Sequence, residues 1–383
     1  MADSSTELTL RLHPAIAEIP AAEWDACAGD ANPFVSHAFL LALEESGSAS
    51  ARTGWLPQHA ALRDADGRLL AVAPAYAKSH SYGEYVFDHG WAQAFERAGG
   101  KYYPKLQVSS PFSPVPGPRL LVRDGLPVLA MAGALAQATE ELGLSSCHVT
   151  FCTQPEWEAL GEAGWLQRLG TQFHWHNDGY TDFEGFLGAL SSRKRKQIRR
   201  ERRDAQAAGL TFRALRGTEI TPRHWAAFHR CYMNTVDRKW GSAYLTPKFW
   251  PLLSKRLGDR VVLMVAERDG EPVAGALNLM GSDALYGRNW GTLTEAPFLH
   301  FELCYYQAID FAIAHGLSRV EAGAQGEHKI QRGYLPSPTY SAHWIQHGGL
   351  RRAIADFLEQ ERLAMVENME ELATLSPFRH EEG

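Results

Sequence analysis

The stretch VVLMVAERDGEPVAGALNLMGSDALYGRNWG, residues 261–291, reads as a three-strand antiparallel meander. Its first turn is Asp269-Gly270. Asp-Gly between apolar runs is a strong hairpin signal, because a tight turn needs positive φ at both positions and these residues tolerate it. A loop follows, then the amphipathic helix HFELCYYQAIDFAIAHG (300–316) and the short strand SRVEAGA (318–324). The helix ends at a glycine, as helix C-termini often do.

Working outward, the same order occurs roughly 200 residues earlier. HAALRDADGRLLAVAPAYAKSHSYGEYVFDHGW (59–91) reads as strand, turn at Asp66-Gly67, strand, polar turn, strand. The helix PVLAMAGALAQATEELG (127–143) and the strand SSCHVTFC (145–152) follow. Strands and helices that mix within each half predict α/β (α+β) layers with mixed sheets. A period this long predicts a duplicated domain rather than a solenoid. The expected domains are 1–180 and 181–383.

The chain has 383 residues and 41 aromatics, enough to bury a large core, which excludes disorder of the whole chain. No apolar run approaches the ~18–20 residues of a membrane span. The N-terminal MADSSTELTLRLH lacks a basic segment followed by an apolar one, so no secretory signal is expected. Five scattered cysteines without a CxxC pair read as reduced thiols, which predicts a cytoplasmic protein.

Charge is uneven. Residues 1–190 carry 11 Lys/Arg against 22 Asp/Glu, and residues 191–383 carry 27 against 22. Much of the excess lies in EGFLGALSSRKRKQIRRERRDAQAAG (184–209), read as one basic helix in which eight of the residues 193–203 are Lys or Arg. Phe186, Leu187, Leu190, Ile198 and Ala205 supply a narrow apolar stripe. Arg195, Arg199 and Arg202 are its expected nucleic-acid contacts, since phosphate neutralisation is the main sequence-independent source of such affinity. The alternative is that the helix contacts the acidic first half. A second amphipathic helix is expected at 350–372.

Phosphate-loop, dinucleotide, nucleophile-elbow and HExxH patterns are absent, and no His/Cys/carboxylate spacing completes a metal site. The densest polar cluster is EAGAQGEHKIQRGYLP (321–336). If it forms a helical turn, His328, Lys329 and Arg332 lie on neighbouring sides of it and can hold a phosphate, a carboxylate or an oxyanion. Glu321 opens the cluster. Tyr286, Arg288, Asn289 and Trp290 end the third strand of the second meander, and His300 and Glu302 open the next helix. A carboxylate there can act as a general base on an amine, or simply complement the helix dipole. In the first half, KYYPKLQVSSPFSPVPGPRLL (101–121) is kept extended by its prolines, with Tyr103 and Lys105 as candidate groove residues.

The duplicated unit resembles two copies of the GNAT acyltransferase fold. With YYPKLQVSSPFSPVPGPRLL, SSRKRKQIRRERR, YGRNWG, HFELCYYQAI and GAQGEHKIQRGYLP, the chain resembles the FemAB-like family of N-acyltransferases of peptidoglycan biosynthesis. That resemblance implies tandem domains whose central strands splay to admit an acyl donor, either aminoacyl-tRNA or acyl-CoA, with no tightly bound cofactor. Neither loop at 111–126 nor at 291–299 shows the Q/RxxGxG/A turn that cradles coenzyme A, and the basic helix suits a tRNA-linked donor. The expected reaction is acyl transfer to an amine acceptor. Glu302 and His328 assist proton removal, and Tyr286, Arg288, Asn289, His300, Glu321, Lys329, Arg332, Tyr103 and Lys105 bind substrate, the loop at 101–119 forming the pocket's far wall. The competing expectation is a non-catalytic module that binds a muropeptide or nucleotide-linked ligand.

Overall fold

A computed structural model describes residues 7–123, 126–238, 242–323 and 326–379. The strands in chain order are β1 (Thr9–His13), β2 (Trp55–Pro57), β3 (His59–Arg63), β4 (Leu69–Ala73), β5 (Ala75–Lys78), β6 (Lys105–Val108), β7 (Leu121–Val122) and β8 (Ser146–Cys152). Then come β9 (Leu166–His176), β10 (Thr211–Arg216), β11 (Val261–Arg268), β12 (Glu271–Met280), β13 (Ala284–Thr292), β14 (Arg319–Glu321) and β15 (Leu335–Ile345). The chain forms two compact units, 1–170 with 338–366, and 171–337 with 367–383. The crossover thus falls near 170 rather than 180, and residues 338–366 group with the first unit. Each unit borrows a strand that simple halving of the sequence misassigns.

In the first unit the order is β2-β5-β6-β8-β15, and in the second it is β11-β12-β13-β14-β9, with β10 added outside β11. All these pairings are antiparallel except β6–β8 and β13–β14, which are parallel. The two units therefore share one topology, as the repeated order of elements in the sequence predicts. A helix precedes the second strand of each parallel pair: Val128–Glu141 in the first unit, and Leu299–Ala314 in the second. Each ends before a left-handed glycine, Gly143 at φ 63° and Gly316 at φ 66°.

The second meander matches its sequence reading. The first differs. β3 and β4 form the Asp66-Gly67 hairpin, but they lie with β1 and β7 in a separate four-stranded sheet. Pro74 lacks an amide donor, so the ladder breaks there and the chain passes into β5 of the main sheet. The expected third strand around 82–91 ends in a helix, His89–Arg97, and the third strand is instead β6, inside the proline-rich segment. Its prolines delimit a strand instead of excluding one.

The basic segment is two helices, Phe183–Ala189 and Ser192–Gln206. Leu190 between them is extended (ψ 156°) and bridges to Phe378. The predicted stripe is buried: Phe186, Leu187, Leu190, Ile198 and Ala205 are each at most 1% exposed. On the other face of the second unit's sheet, the helix Pro222–Arg238 lies close to β13. A Cβ added at Gly291 would collide with the backbone of Cys231. The C-terminal helix spans Gly348–Ala373.

Candidate functional site

β13 and β14 pair over only Ala284↔Arg319, Leu285↔Val320 and Tyr286↔Glu321, then diverge. Beyond that point β13 slips register against β12 between Ala276 and Asn278, a bulge of the kind that re-aims side chains. The opening holds an inner cavity of about 80 Å³ lined by Arg288, Asn289, Trp290, His300, Cys304 and Tyr305, with Gly287 and Ala322 at the splay itself. An outer cavity of about 430 Å³ shares Trp290 and His300 and adds Arg238, Glu295, Phe298 and Phe301. Trp290 and His300 have ring centroids 4.7 Å apart, and His300 and Tyr305 are 5.3 Å apart. Tyr305 Oη and His328 Nε2 are 2.9 Å apart.

The helix lining this cleft begins as α at Leu299–Phe301, widens into a π turn at Glu302–Tyr306 and resumes as α at Gln307–Ala314. One added residue per turn rotates the side chains relative to a plain helix, a distortion frequent at functional sites. It brings Cys304 and Tyr305 to the cavity, positions that helical periodicity alone does not single out.

Glu302 is fully buried and turned away from general-base work. Arg202 Nε and Nη2 donate to its two oxygens at 3.2 and 3.0 Å, and Gln307 Nε2 donates at 2.8 Å. Both of its oxygens are therefore occupied by donors from the protein itself. Arg202 also pairs with Asp310 at 2.7 Å, so it faces the protein and not a nucleic acid. Arg332 is likewise inward. Its Nε and Nη2 donate to Glu201 at 3.1 and 2.8 Å, its Nη1 donates to the His328 carbonyl at 2.7 Å, and its guanidinium lies 3.5 Å from the Phe301 ring centroid. The turn at Glu327–Arg332 is a 3₁₀ helix, whose three-residue period places Lys329 and Arg332 together on the buried side and His328 outside.

Glu321 is a different carboxylate. It is 3% exposed, Arg319 Nε donates to Oε1 at 2.9 Å, and Oε2 has no hydrogen-bond partner. His174 Nε2 stands 3.9 Å from Oε2, and burial drives that imidazole down to about 3, so it is neutral. Burial pushes Glu321 up to about 7 against the opposing pull of Arg319. Lys329 is 3% exposed, donates to the Gly323 carbonyl at 2.8 Å and is lowered to about 8 by burial. Burial, with Arg332 and Lys329 nearby, also lowers His328. Tyr286 is buried with its hydroxyl 3.3 Å from Arg319 Nη2.

The expected site thus assembles in part. Arg288, Asn289 and His300 line the inner cavity, His328 reaches its wall through Tyr305, and Glu321 and Lys329 are not among its lining residues. Tyr103 and Lys105 belong to the first unit and line neither cavity. Tyr103 Oη is 2.8 Å from Ser81 Oγ, and the Lys105 ammonium is buried between Glu84 and Asp88, with no donor to spare for a substrate. In the first unit, beyond the parallel β6–β8 pair, Arg119 is fully buried, with Nε on the Thr150 carbonyl at 3.0 Å and Nη1 on those of Gly117 and Pro118. Arg199 is exposed and paired with Glu184, and Arg195 is half-buried. Among the described residues, no three His, Cys, Asp or Glu side chains gather as a metal site, and no helix is long and apolar enough to cross a membrane.

The sequence pattern of the FemAB-like family, described as peptidoglycan biosynthesis/recognition, matches residues 15–380. The chain belongs to the FemAB-like family. FemX is similar to this FemAB-like chain in fold, with a TM-score of 0.56 and 12% identity over 91% of this chain and 100% of FemX. The C-terminal domain of an Agrobacterium fabrum protein assigned as a lysylphosphatidylglycerol synthetase gives 0.55 and 12% over 90% of this chain and 97% of that one. L-PGS from Bacillus licheniformis gives 0.53 and 10% over 90% and 98%. A search of curated protein sequences finds no match.

Proposed function

We propose that this FemAB-like protein transfers an aminoacyl group from aminoacyl-tRNA to the amine of a cell-wall precursor in the cytoplasm, using the second unit alone. The observation that carries the reading is the splayed β13–β14 pair, whose opening lies beside a buried carboxylate, Glu321, with one oxygen unpartnered. In this reading the donor enters through the outer cavity. Its adenine end meets the aromatic faces of Trp290 and Phe298, and its carbonyl reaches the inner cavity near His300. The acceptor amine approaches beside Arg288 and Asn289. Glu321 takes the amine proton as the nitrogen attacks the carbonyl, replacing Glu302 in the role of base. Lys329 supplies positive charge to the developing oxyanion in a site shielded from water, where such charge acts most strongly. The exposed residues Arg193, Lys196, Arg200 and Arg203 along the basic helix suit the phosphates of an RNA donor.

The test is transfer of a radiolabelled amino acid from charged total tRNA to a peptidoglycan precursor carrying a free amine. Amide product with tRNA and none with acetyl-CoA supports the reading. Product with acetyl-CoA alone assigns the other donor. Precursor binding without product from either donor establishes a recognition module and overturns the enzyme.

A further inference from the structure

Tyr305 stands on the wall of the inner cavity, where the π turn puts it. It is buried, and its ring packs among those of His300, Phe301 and Tyr334, with centroids 5.3, 5.9 and 5.3 Å away. Its hydroxyl has one polar partner among the described residues, His328 Nε2 at 2.9 Å. His328 is on the exposed side of the 3₁₀ turn, so the pair runs from the buried wall to the surface. The turn fixes the imidazole. Arg332 Nη1 donates to the His328 carbonyl at 2.7 Å, and a Cβ added at Gly326 would collide with the ring. Burial raises the Tyr305 phenol, which keeps its proton. Burial, with Arg332 and Lys329, lowers His328, so at pH 7 its neutral form predominates and accepts a proton.

An acceptor that arrives as an ammonium loses two protons from its nitrogen on becoming an amide. One ends on the leaving oxygen of the donor ester, and the other must reach water from inside the cleft. We propose that Tyr305 and His328 form that exit, Tyr305 as a catalytic residue and His328 acting through it. This rests on the acyl-transfer reading above and adds a second proton path to it. Before attack, an N–H bond of the ammonium breaks and its proton bonds to Tyr305 Oη, while the Oη proton bonds to His328 Nε2. The imidazolium then loses a proton to solvent. Arg288 on the same wall weakens an ammonium's hold on its proton. The neutral nitrogen next bonds to the donor carbonyl carbon and gives its surplus proton to Glu321. The ester C–O bond breaks, and that proton passes to the leaving oxygen. The net change is ester plus ammonium to amide plus alcohol and one proton in solution.

The experiment is the transfer assay above, run on the full chain as single turnovers with whichever donor the wild type uses, and with the thermal midpoint of each variant. Tyr305→Phe keeps the ring and is expected to slow amide formation ~100-fold. His328→Gln still hydrogen-bonds to Oη but takes up no proton, and it is expected to lose as much. Imidazole added to His328→Ala is expected to raise its rate at least ~10-fold, because the vacated position is at the surface. Pyrazole, of the same size and far less basic, is expected to restore nothing, and imidazole is expected not to help Tyr305→Phe. Wild-type rates in Tyr305→Phe or His328→Gln overturn the exit path and leave acyl transfer standing. Equal rescue by pyrazole does the same, since the imidazole then only fills space. No amide from wild type with either donor overturns the path and the acyl-transfer reading together.

Discussion

Glu302 and Glu321 are both buried carboxylates at the second unit's cleft, and their hydrogen bonds separate their roles. Two guanidinium donors and an amide occupy Glu302, whereas Glu321 keeps Oε2 unpartnered. With Glu321 raised to about 7, ionisation of this base gives a rate that climbs as pH rises through about 7. With Lys329 at about 8, loss of its proton makes the rate fall again above that pH. Glu321→Gln is expected to lower kcat/KM by ~10²–10⁴-fold and remove the acid limb, measured as a pH profile of amide formation. The same residue affects stability with the opposite slope. Its folded value lies above its ordinary 4.5, so the native state holds the proton more tightly than the unfolded chain between 4.5 and about 7. Stability contributed by this group therefore falls as pH rises across that window. Urea midpoints of wild type and Glu321→Gln should converge at low pH and separate toward pH 7, with the variant the more stable. The sequence placed Glu321 at a strand end beside a polar cluster. It held no sign of which carboxylate would meet an arginine fork, because Arg202 lies 100 residues from Glu302 in the chain.

At the scale of elements, the basic helix Ser192–Gln206 shows how one face of a charged helix becomes structural. Glu201 and Arg202 turn inward to Arg332 and to Glu302 and Asp310, and Tyr306 donates to Glu201. These contacts tie the helix to the π turn and to the 3₁₀ turn that presents Lys329. Removing one partner of a buried pair leaves the other charge uncompensated. Arg332→Ala is therefore expected to cost about 3–5 kcal/mol of stability, read from denaturant unfolding, rather than to weaken substrate binding alone. Glu302→Gln should likewise lower the thermal midpoint while leaving both limbs of the pH–rate profile in place. A lost acid limb in Glu302→Gln would return the base role to that residue. Periodicity made the apolar stripe of this helix legible, since Ile198 and Ala205 stand seven apart. The break at Leu190 was not legible, because it depends on strand pairing with Phe378 near the other end of the chain. β6 was missed for a related reason. KLQV is a weak local pattern, and its strand exists because β5 and β8 supply hydrogen bonds on both sides.

At the scale of the molecule, duplication produced two sheets of one topology and two different fates. The splay of the second unit opens on aromatic and ionisable groups. In the first unit Arg119 is buried against the Thr150 carbonyl and Lys105 is locked between carboxylates. In the proposed reading, binding of RNA belongs to the second unit's exposed basic stripe. Reversing Lys196, Arg200 and Arg203 to Glu is expected to weaken tRNA binding and flatten its dependence on salt, while Arg202→Glu should instead unfold the helix's docking. Filter binding across a salt series, with circular dichroism of each variant, checks both. Salt-independent retention of tRNA, or equal loss from all four substitutions, would refute this division of the helix into two faces.

Local chemistry alone determined several features of this protein: the Asp-Gly hairpins, the apolar periods of the helices, the glycines that end them and the repeat of their order. Each of these depends on residues within a few positions of one another, where backbone sterics and side-chain spacing decide. The tertiary structure decided which strand completes each sheet, which acids meet arginines and which keep an oxygen open, and that a π turn swings Cys304 into the cleft. Those outcomes rest on hydrogen bonds and buried charges between segments far apart in the chain. Their energies depend on burial and on the partner supplied, and neither is written in the local pattern of residues.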